Sequence, residues 1–119
     1  DIKDFITKAE IIQNAKVINN NICLAYTKTE TDNINIVIAQ AADELLNIKE
    51  VEASFVLARK DDRVFISARS LGNINVHVLM ENLGGGGHRD MAGAQLDTSL
   101  EKAYEMVKDT IQTYIKEEE

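Results

Sequence analysis

Apolar positions along the chain change period several times, and each change marks an element. Residues 2–18 carry Ile2, Phe5, Ile6, Ala9 and Ile12 at helical spacing. Asn19-Asn20-Asn21 breaks that stripe, and Ile22 to Thr27 then reads as a short strand. Thr29 to Asn33 is polar and predicts a loop. Ile34, Ile38, Ala41, Ala42 and Leu45 form a second helical stripe within residues 34–47. Two alternating runs follow. Val51, Ala53, Phe55 and Leu57 alternate with Glu52, Ser54 and Val56, and Val64, Ile66 and Ala68 alternate with Phe65, Ser67 and Arg69. The polar turn Lys60-Asp61-Asp62-Arg63 joins them as a β-hairpin. Phe65 on the outward-alternating side predicts that this face is partly covered.

Gly72-Asn73 ends the hairpin and offers a cap for the next helix, whose stripe is Val76, Leu79, Met80 and Leu83. A glycine run follows at that helix's C-terminal end. Ala92 to Leu96 can return to the sheet as a strand of small residues, which lets its backbone pack closely. Thr98 with Glu101 forms a capping box. It opens a last helix striped by Leu100, Ala103, Tyr104, Val107, Ile111, Tyr114 and Ile115. The predicted order is α-β-α-β-β-α-β-α. This is an α/β fold, a single domain over residues 1–119 with a mixed β-sheet flanked by helices.

Composition narrows the class. A length of 119 residues suits one domain with a real core. No apolar run approaches the roughly 18–20 residues that span a bilayer. The chain starts at Asp1 without a methionine or signal peptide, so it is expected to be a piece of something longer. Cys23 stands alone in an apolar run, which excludes an internal disulfide and fits a core thiol in a reducing compartment. The net charge of −7 speaks against gripping long nucleic acid, which calls for a basic patch. An anionic ligand would need a focused local site, which favours a small nucleotide over a polymer. Lys116-Glu117-Glu118-Glu119 reads as a solvated tail.

Such a local site is suggested by Gly84-Gly85-Gly86-Gly87-His88, which holds four of the six glycines and one of the two histidines. Glycine loses the most backbone entropy on folding, so a run of four calls for a reason. One reason is close approach of backbone N–H groups to an anion, with the histidine as a further donor. The alternative is a long flexible loop with a solvated histidine. The run matches no common nucleotide fingerprint. His88 stands where a P-loop needs Lys followed by Ser or Thr, and Arg89 and Asp90 stand where G-x-G-x-x-G needs its third glycine. His88-Arg89-Asp90 matches three residues of the kinase catalytic loop, but none of the partner motifs is present. His77 reads as a surface histidine. The histidines, cysteine and acids do not fall into metal-ligand spacings, and no complete hydrolytic machinery is legible. Ser67 and Arg69 share one face of their strand. An arginine fork at a strand end suits phosphate, and a plain surface arginine is the competing reading.

Taken together, Ile66-Ser67-Ala68-Arg69-Ser70, the helix start Gly72-Asn73-Ile74-Asn75-Val76 and Gly85-Gly86-Gly87-His88 with Ala92-Gly93-Ala94 resemble the DHH-associated domain. That domain is the C-terminal half of DHH-type phosphoesterases. Its relatives include nanoRNases, RecJ-type single-strand exonucleases and a domain of alanyl-tRNA synthetases. Residues 38–46 and 51–56 are similar to the GdpP-type cyclic-di-AMP phosphodiesterases in particular. The resemblance covers roughly residues 36 to 96. It implies the substrate-binding half of a bacterial metal-dependent cyclic-dinucleotide phosphodiesterase. No catalytic residue and no metal ligand would then lie in this chain, and the chain alone would be inactive. Two manganese ions and the hydrolytic water would belong to a preceding DHH domain, which would be this chain's partner within the parent. Gly84, Gly85, Gly86, Gly87 and His88 would hold substrate phosphate, with Arg69 and Ser67 contacting phosphate or nucleotide. Met91 stands where many members have alanine, which puts base specificity in question more than phosphate binding. The resemblance further implies a cytoplasmic domain of a membrane-anchored parent, with no membrane contact of its own. The ligand would be a cyclic dinucleotide or a short oligonucleotide. A homodimer, a nanoRNase-like parent and a non-enzymatic RNA-binding module stay open.

Overall fold

Pairs of asparagines and aspartates set the strand pairing. In the computed structural model, which describes residues 1–118, Asn19 and Asn20 have φ of 55° and 68°, and Asp61 and Asp62 have 50° and 67°. These side chains tolerate the left-handed region. Two such residues in succession give the turn whose twist matches a hairpin. The first pair joins β1 (Lys16–Ile18) to β2 (Ile22–Thr27), and the second joins β3 (Ala53–Lys60) to β4 (Arg63–Ser70). The helices are α1 (Ile2–Gln13), α2 (Ile34–Leu45), α3 (Val76–Glu81) and α4 (Leu100–Glu118). Two further strands are β5 (Gly86–Gly87) and β6 (Met91–Leu96). The six strands lie in the order β1-β2-β3-β4-β6-β5, and only β2 and β3 run parallel, joined through α2. This is the mixed-sheet α/β fold that the hydrophobic pattern predicts, with two short edge strands added.

Several local details differ from the pattern-based reading. Residues 16–18 are not helical. The turn at Asn19-Asn20 folds them back as an edge strand, with Val17 opposite Cys23. The apolar stripe of α1 also points the other way. Thr7 and Ile11 are buried, whereas Ile2 and Phe5 are 76% and 65% exposed. The inner face docks on α2 through the Lys8–Glu44 ion pair (3.3 Å) and the Asn33 amide, which donates to Asp4 at 3.1 Å. That hydrogen bond, above all, holds the Asp4 carboxyl below its ordinary pKa. Helix α3 is capped by Asn75, whose side chain accepts from the N–H groups of His77 and Val78, and not by Gly72-Asn73. Helix α4 is capped by Ser99, whose Oγ accepts from the Lys102 N–H at 3.1 Å, and not by Thr98. In each case the competing residue sits too early to reach the first free N–H groups. Lys116 to Glu118 continue α4 rather than forming a tail; Glu119 lies outside the described residues.

The two helix pairs cover opposite faces of the sheet. One core joins α3 and α4 to Leu24, Phe55, Leu57, Ile66 and Ala94 among others. The second joins α1 and α2 to Cys23, Ala25, Val56 and Ala58, with Phe65 packed at its margin, as the sequence predicts. Strand β3 is therefore buried on both faces. Strand β6 is not: Ala92 and Ala94 are buried on the α3 side, while Met91 and Gln95 on the other side are exposed.

Candidate functional site

The glycine run begins as a helix stop. The Gly85 N–H donates to the Met80 carbonyl at 2.8 Å and the Gly84 N–H to Glu81 at 3.0 Å, with Gly84 at φ 87°. This is a Schellman closure, which places a left-handed residue just past the helix. Gly85 then lies so close to β6 that any Cβ would overlap the Gly93 carbonyl oxygen. At Gly87, φ is 143° and a Cβ would meet the Ala92 Cα at 2.5 Å. Three of the four glycines thus have an internal steric or dihedral reason. Gly86 has none: a Cβ there meets nothing within 4 Å.

The segment is a fastened hairpin, not a loose loop. His88 and Met91 exchange backbone hydrogen bonds across a two-residue turn at Arg89-Asp90. The turn carbonyls accept from Ser70 (2.9 Å) and Val76 (3.0 Å), and Arg89 Nε donates to the Gly72 carbonyl at 2.6 Å. Bonded and non-bonded pairs alternate along an antiparallel ladder. The Gly87 N–H therefore points away from β6, off the edge of the sheet.

Register then gathers the residues singled out in the sequence. His88 lies opposite Met91, and Met91 opposite Arg69. One step along, Gly86 lies opposite Gly93, and Gly93 opposite Ser67. A further step brings Gln95 opposite Phe65. Side chains two apart on a strand share a face, so all of these occupy the face that α1 and α2 leave uncovered beyond β4. Gly84, Gly85 and Ser67 line a cavity of about 500 Å³ there, between α2 and the sheet. Arg69 and His88 stand outside it, towards the hairpin turn. His88 is exposed. His77 is distant from this group, paired with Glu81 on α3 at 3.3 Å.

Arg69 does not wave in solvent. Its side chain is 12% exposed, with Nε donating to Asp43 Oδ1 at 2.9 Å and Nη1 to the Ala68 carbonyl at 3.0 Å. The register explains the pairing. Ser54 lies opposite Arg69, and its hydroxyl donates to the Ala42 carbonyl at 2.6 Å inside the core. That bond fixes α2 over β3 and delivers the next residue, Asp43, to the guanidinium. Guanidinium has five N–H donors, so most remain for an anion. At the far end of the face, Arg63 Nε donates to Asp97 at 2.7 Å and Nη1 to Gln95 Oε1 at 2.9 Å. The hydrogen bond and charge of Asp97 raise the Arg63 pKa further. Burial pushes the Cys23 thiol up, away from the reactive thiolate.

Asp43, Asn35, Gly93 and Gln95 belong to this face and were not named as site residues from the sequence, Gly93 entering only within the Ala92-Gly93-Ala94 motif. For Gly93 and Gln95 a signal existed, since they alternate with the buried Ala92 and Ala94. Asp43 and Asn35 carried none that a single sequence shows, because their role depends on where α2 sits. Among the described residues no group of three His, Cys, Asp or Glu gathers as a metal site. The donors of the described residues therefore do not fit a manganese centre.

The DHHA1 domain model matches residues 19–117, and the chain belongs to that family. Among curated proteins it is 42% identical over 119 residues to the cyclic-di-AMP phosphodiesterase GdpP of Bacillus subtilis, covering 97% of this chain and 18% of that protein. It is 37% identical over 120 residues to the cyclic-di-AMP phosphodiesterase PdeA of Listeria monocytogenes, covering 99% of this chain and again 18% of the relative. The chain thus spans less than one fifth of these proteins. Among solved structures, an exopolyphosphatase-related protein from Bacteroides fragilis shares the fold, with a TM-score of 0.83 and 21% identity over 96% of this chain and 35% of that one.

Proposed function

We propose that this chain is the substrate-binding domain of a cyclic-di-AMP phosphodiesterase, holding a substrate phosphate on the open face of its sheet. The observation that carries the reading is the register itself. It puts the edge glycines with His88, the Ser67 hydroxyl and the braced Arg69 guanidinium in adjacent rows of one uncovered face. Backbone N–H, imidazole, hydroxyl and guanidinium all donate to phosphate oxygens. Gly86 leaves room for close approach, and the Gly87 N–H points outward at the same edge. The high identity to GdpP and PdeA supports the choice of cyclic-di-AMP over other phosphoesters.

The role of this chain is to bind and orient. Hydrolysis, and the metal chemistry the resemblance implies, belong in this reading to the part of the longer protein outside these residues. The purified 119-residue chain is expected to show no manganese-dependent turnover of cyclic-di-AMP; measurable turnover overturns the division of labour. In the intact enzyme, His88→Ala is expected to lower kcat/KM by about 10-fold or more, the scale of one lost charge-assisted contact. An unchanged value removes His88 from the site. Competition between cyclic-di-AMP and linear di-adenylate separates this reading from an oligonucleotide phosphodiesterase.

A further inference from the structure

A second cavity lies on the other face of the sheet, under α4, and at the other end of the strands from Arg69. The β3–β4 ladder runs from Ser54 opposite Arg69 to Lys60 opposite Arg63, so β3 ends far from the Arg69–His88 row. There a cavity of about 610 Å³ opens between the carboxyl ends of β2 and β3 and the first turns of α4. That volume suits a small ligand, the usual range being about 300–1,000 Å³. Strands β2 and β3 are also the parallel pair. Open α/β sheets hold ligands in the crevice beyond the carboxyl ends of their parallel strands.

The lining carries two rings and both signs of charge. Tyr26 and Tyr104 meet edge to face with ring centroids 5.4 Å apart, and Tyr26 remains 44% exposed. Neither hydroxyl has a hydrogen-bond partner among the described residues, whereas Tyr114 uses its hydroxyl to accept from the Asn75 N–H. Lys28 is exposed and forms no ion pair among the described residues. Arg59 Nη2 donates to the exposed Asp62 at 3.3 Å, and Nη1 lies 3.5 Å from the Thr98 carbonyl. On α4, Glu105 pairs with Lys108 at 3.8 Å. Glu101, one turn earlier, has no ion-pair partner among the described residues.

Charge is thus divided between the two walls. Lys28 and Arg59 stand on the strand side and Glu101 on the helix side. Arg59 meets the chain at Thr98, about one helical turn (~5.4 Å) before Glu101, yet the two do not pair. A lone anion in the cavity would face Glu101, and a lone cation would face two positive side chains. A ligand with both charges on neighbouring atoms satisfies both walls by charge-assisted hydrogen bonds. An α-amino acid has that form. We infer that this cavity binds a free α-amino acid with an aromatic side chain. Its carboxylate would meet Arg59 and Lys28, its ammonium Glu101, and its ring Tyr26 and Leu100. Ring pairs of this kind add to the area they bury. The inference is independent of the phosphate-binding reading above.

Analogues that lack one group at a time test each wall. The ¹⁵N-labelled chain is titrated with L-phenylalanine, 3-phenylpropionate, phenethylamine and glycine while its amide and Arg Nε–H resonances are followed. L-Phenylalanine should shift residues 99–105 and the Arg59 Nε–H, and leave residues 84–88 in place. 3-Phenylpropionate lacks the ammonium and phenethylamine the carboxylate, so each should bind about 10-fold more weakly. Glycine, without a ring to bury, should also bind about 10-fold more weakly. Glu101→Gln, at an exposed position, should weaken L-phenylalanine about 10-fold and not weaken 3-phenylpropionate. Equal affinity for either one-charge analogue overturns the reading of both charges, as does a Glu101→Gln variant with unchanged affinity. Equal affinity for glycine overturns the ring contact. Shifts at residues 84–88 without shifts at 99–105, or silence to every ligand, overturn the site.

Discussion

Under α3 and α4 the sheet is covered from β2 through β6; under α1 and α2 the cover stops at β4. The same strand, β6, therefore lives in two environments. Ala92 and Ala94 fill a closed interface, while Met91, Gly93 and Gln95 face a cavity and solvent. Both faces use small residues where backbone comes close. On the closed side Ala92 and Ala94 let α3 and β5 approach; on the open side Gly93 lies against β4, where an added Cβ would meet the Ile66 carbonyl oxygen at 2.8 Å. Small residues in sequence mark close approach without saying whether the approaching body is the protein's own backbone or a ligand.

Substitutions can separate those two cases. Gly85→Ala drives a Cβ into the β6 backbone and should destabilise by about 3 kcal/mol or more, the upper end of overpacking. Gly86→Ala, one residue on, should stay within about 1 kcal/mol, since nothing stands within 4 Å of its added Cβ. Urea denaturation of the two variants checks the difference, and equal losses would erase the contrast within the run. Ser54→Ala removes the buried bond to the Ala42 carbonyl and should cost about 1 kcal/mol. It should also loosen Asp43 from Arg69, seen as a changed Arg69 Nε–H resonance. Met91→Ala, on the open face, should change stability by no more than about 0.5 kcal/mol. A larger loss in thermal unfolding would mean that this face is less open than its exposure indicates.

Much of the fold was legible locally. Alternation over residues 51–69 found the β3–β4 hairpin because its period differs sharply from that of the flanking helices. The stripe of α4 found the longest helix for the same reason. The caps were misplaced because Thr98 and Ser99, or Asn73 and Asn75, offer similar side chains within two residues. Only the backbone path decides which one meets a free N–H. The stripe of α1 was found but its direction was not. Periodicity identifies an apolar side, and the docking partner decides which side turns inward; here Thr7 and Ile11 face in.

The candidate site divides in the same way. Gly84–His88, Ser67 and Arg69 could be named from residue chemistry, since a glycine run and a strand-end arginine are local features. The Asp43–Arg69 pair at 2.9 Å and the orientation of Gln95 by Arg63 could not. They join residues 26 and 32 positions apart, brought together by strand register and by the seating of α2. By itself the sequence determined the periods, the turns and the donor types, because each depends on a few neighbouring residues. Tertiary structure alone decided which face of the sheet stayed open, because that depends on how far two helices can reach across six strands.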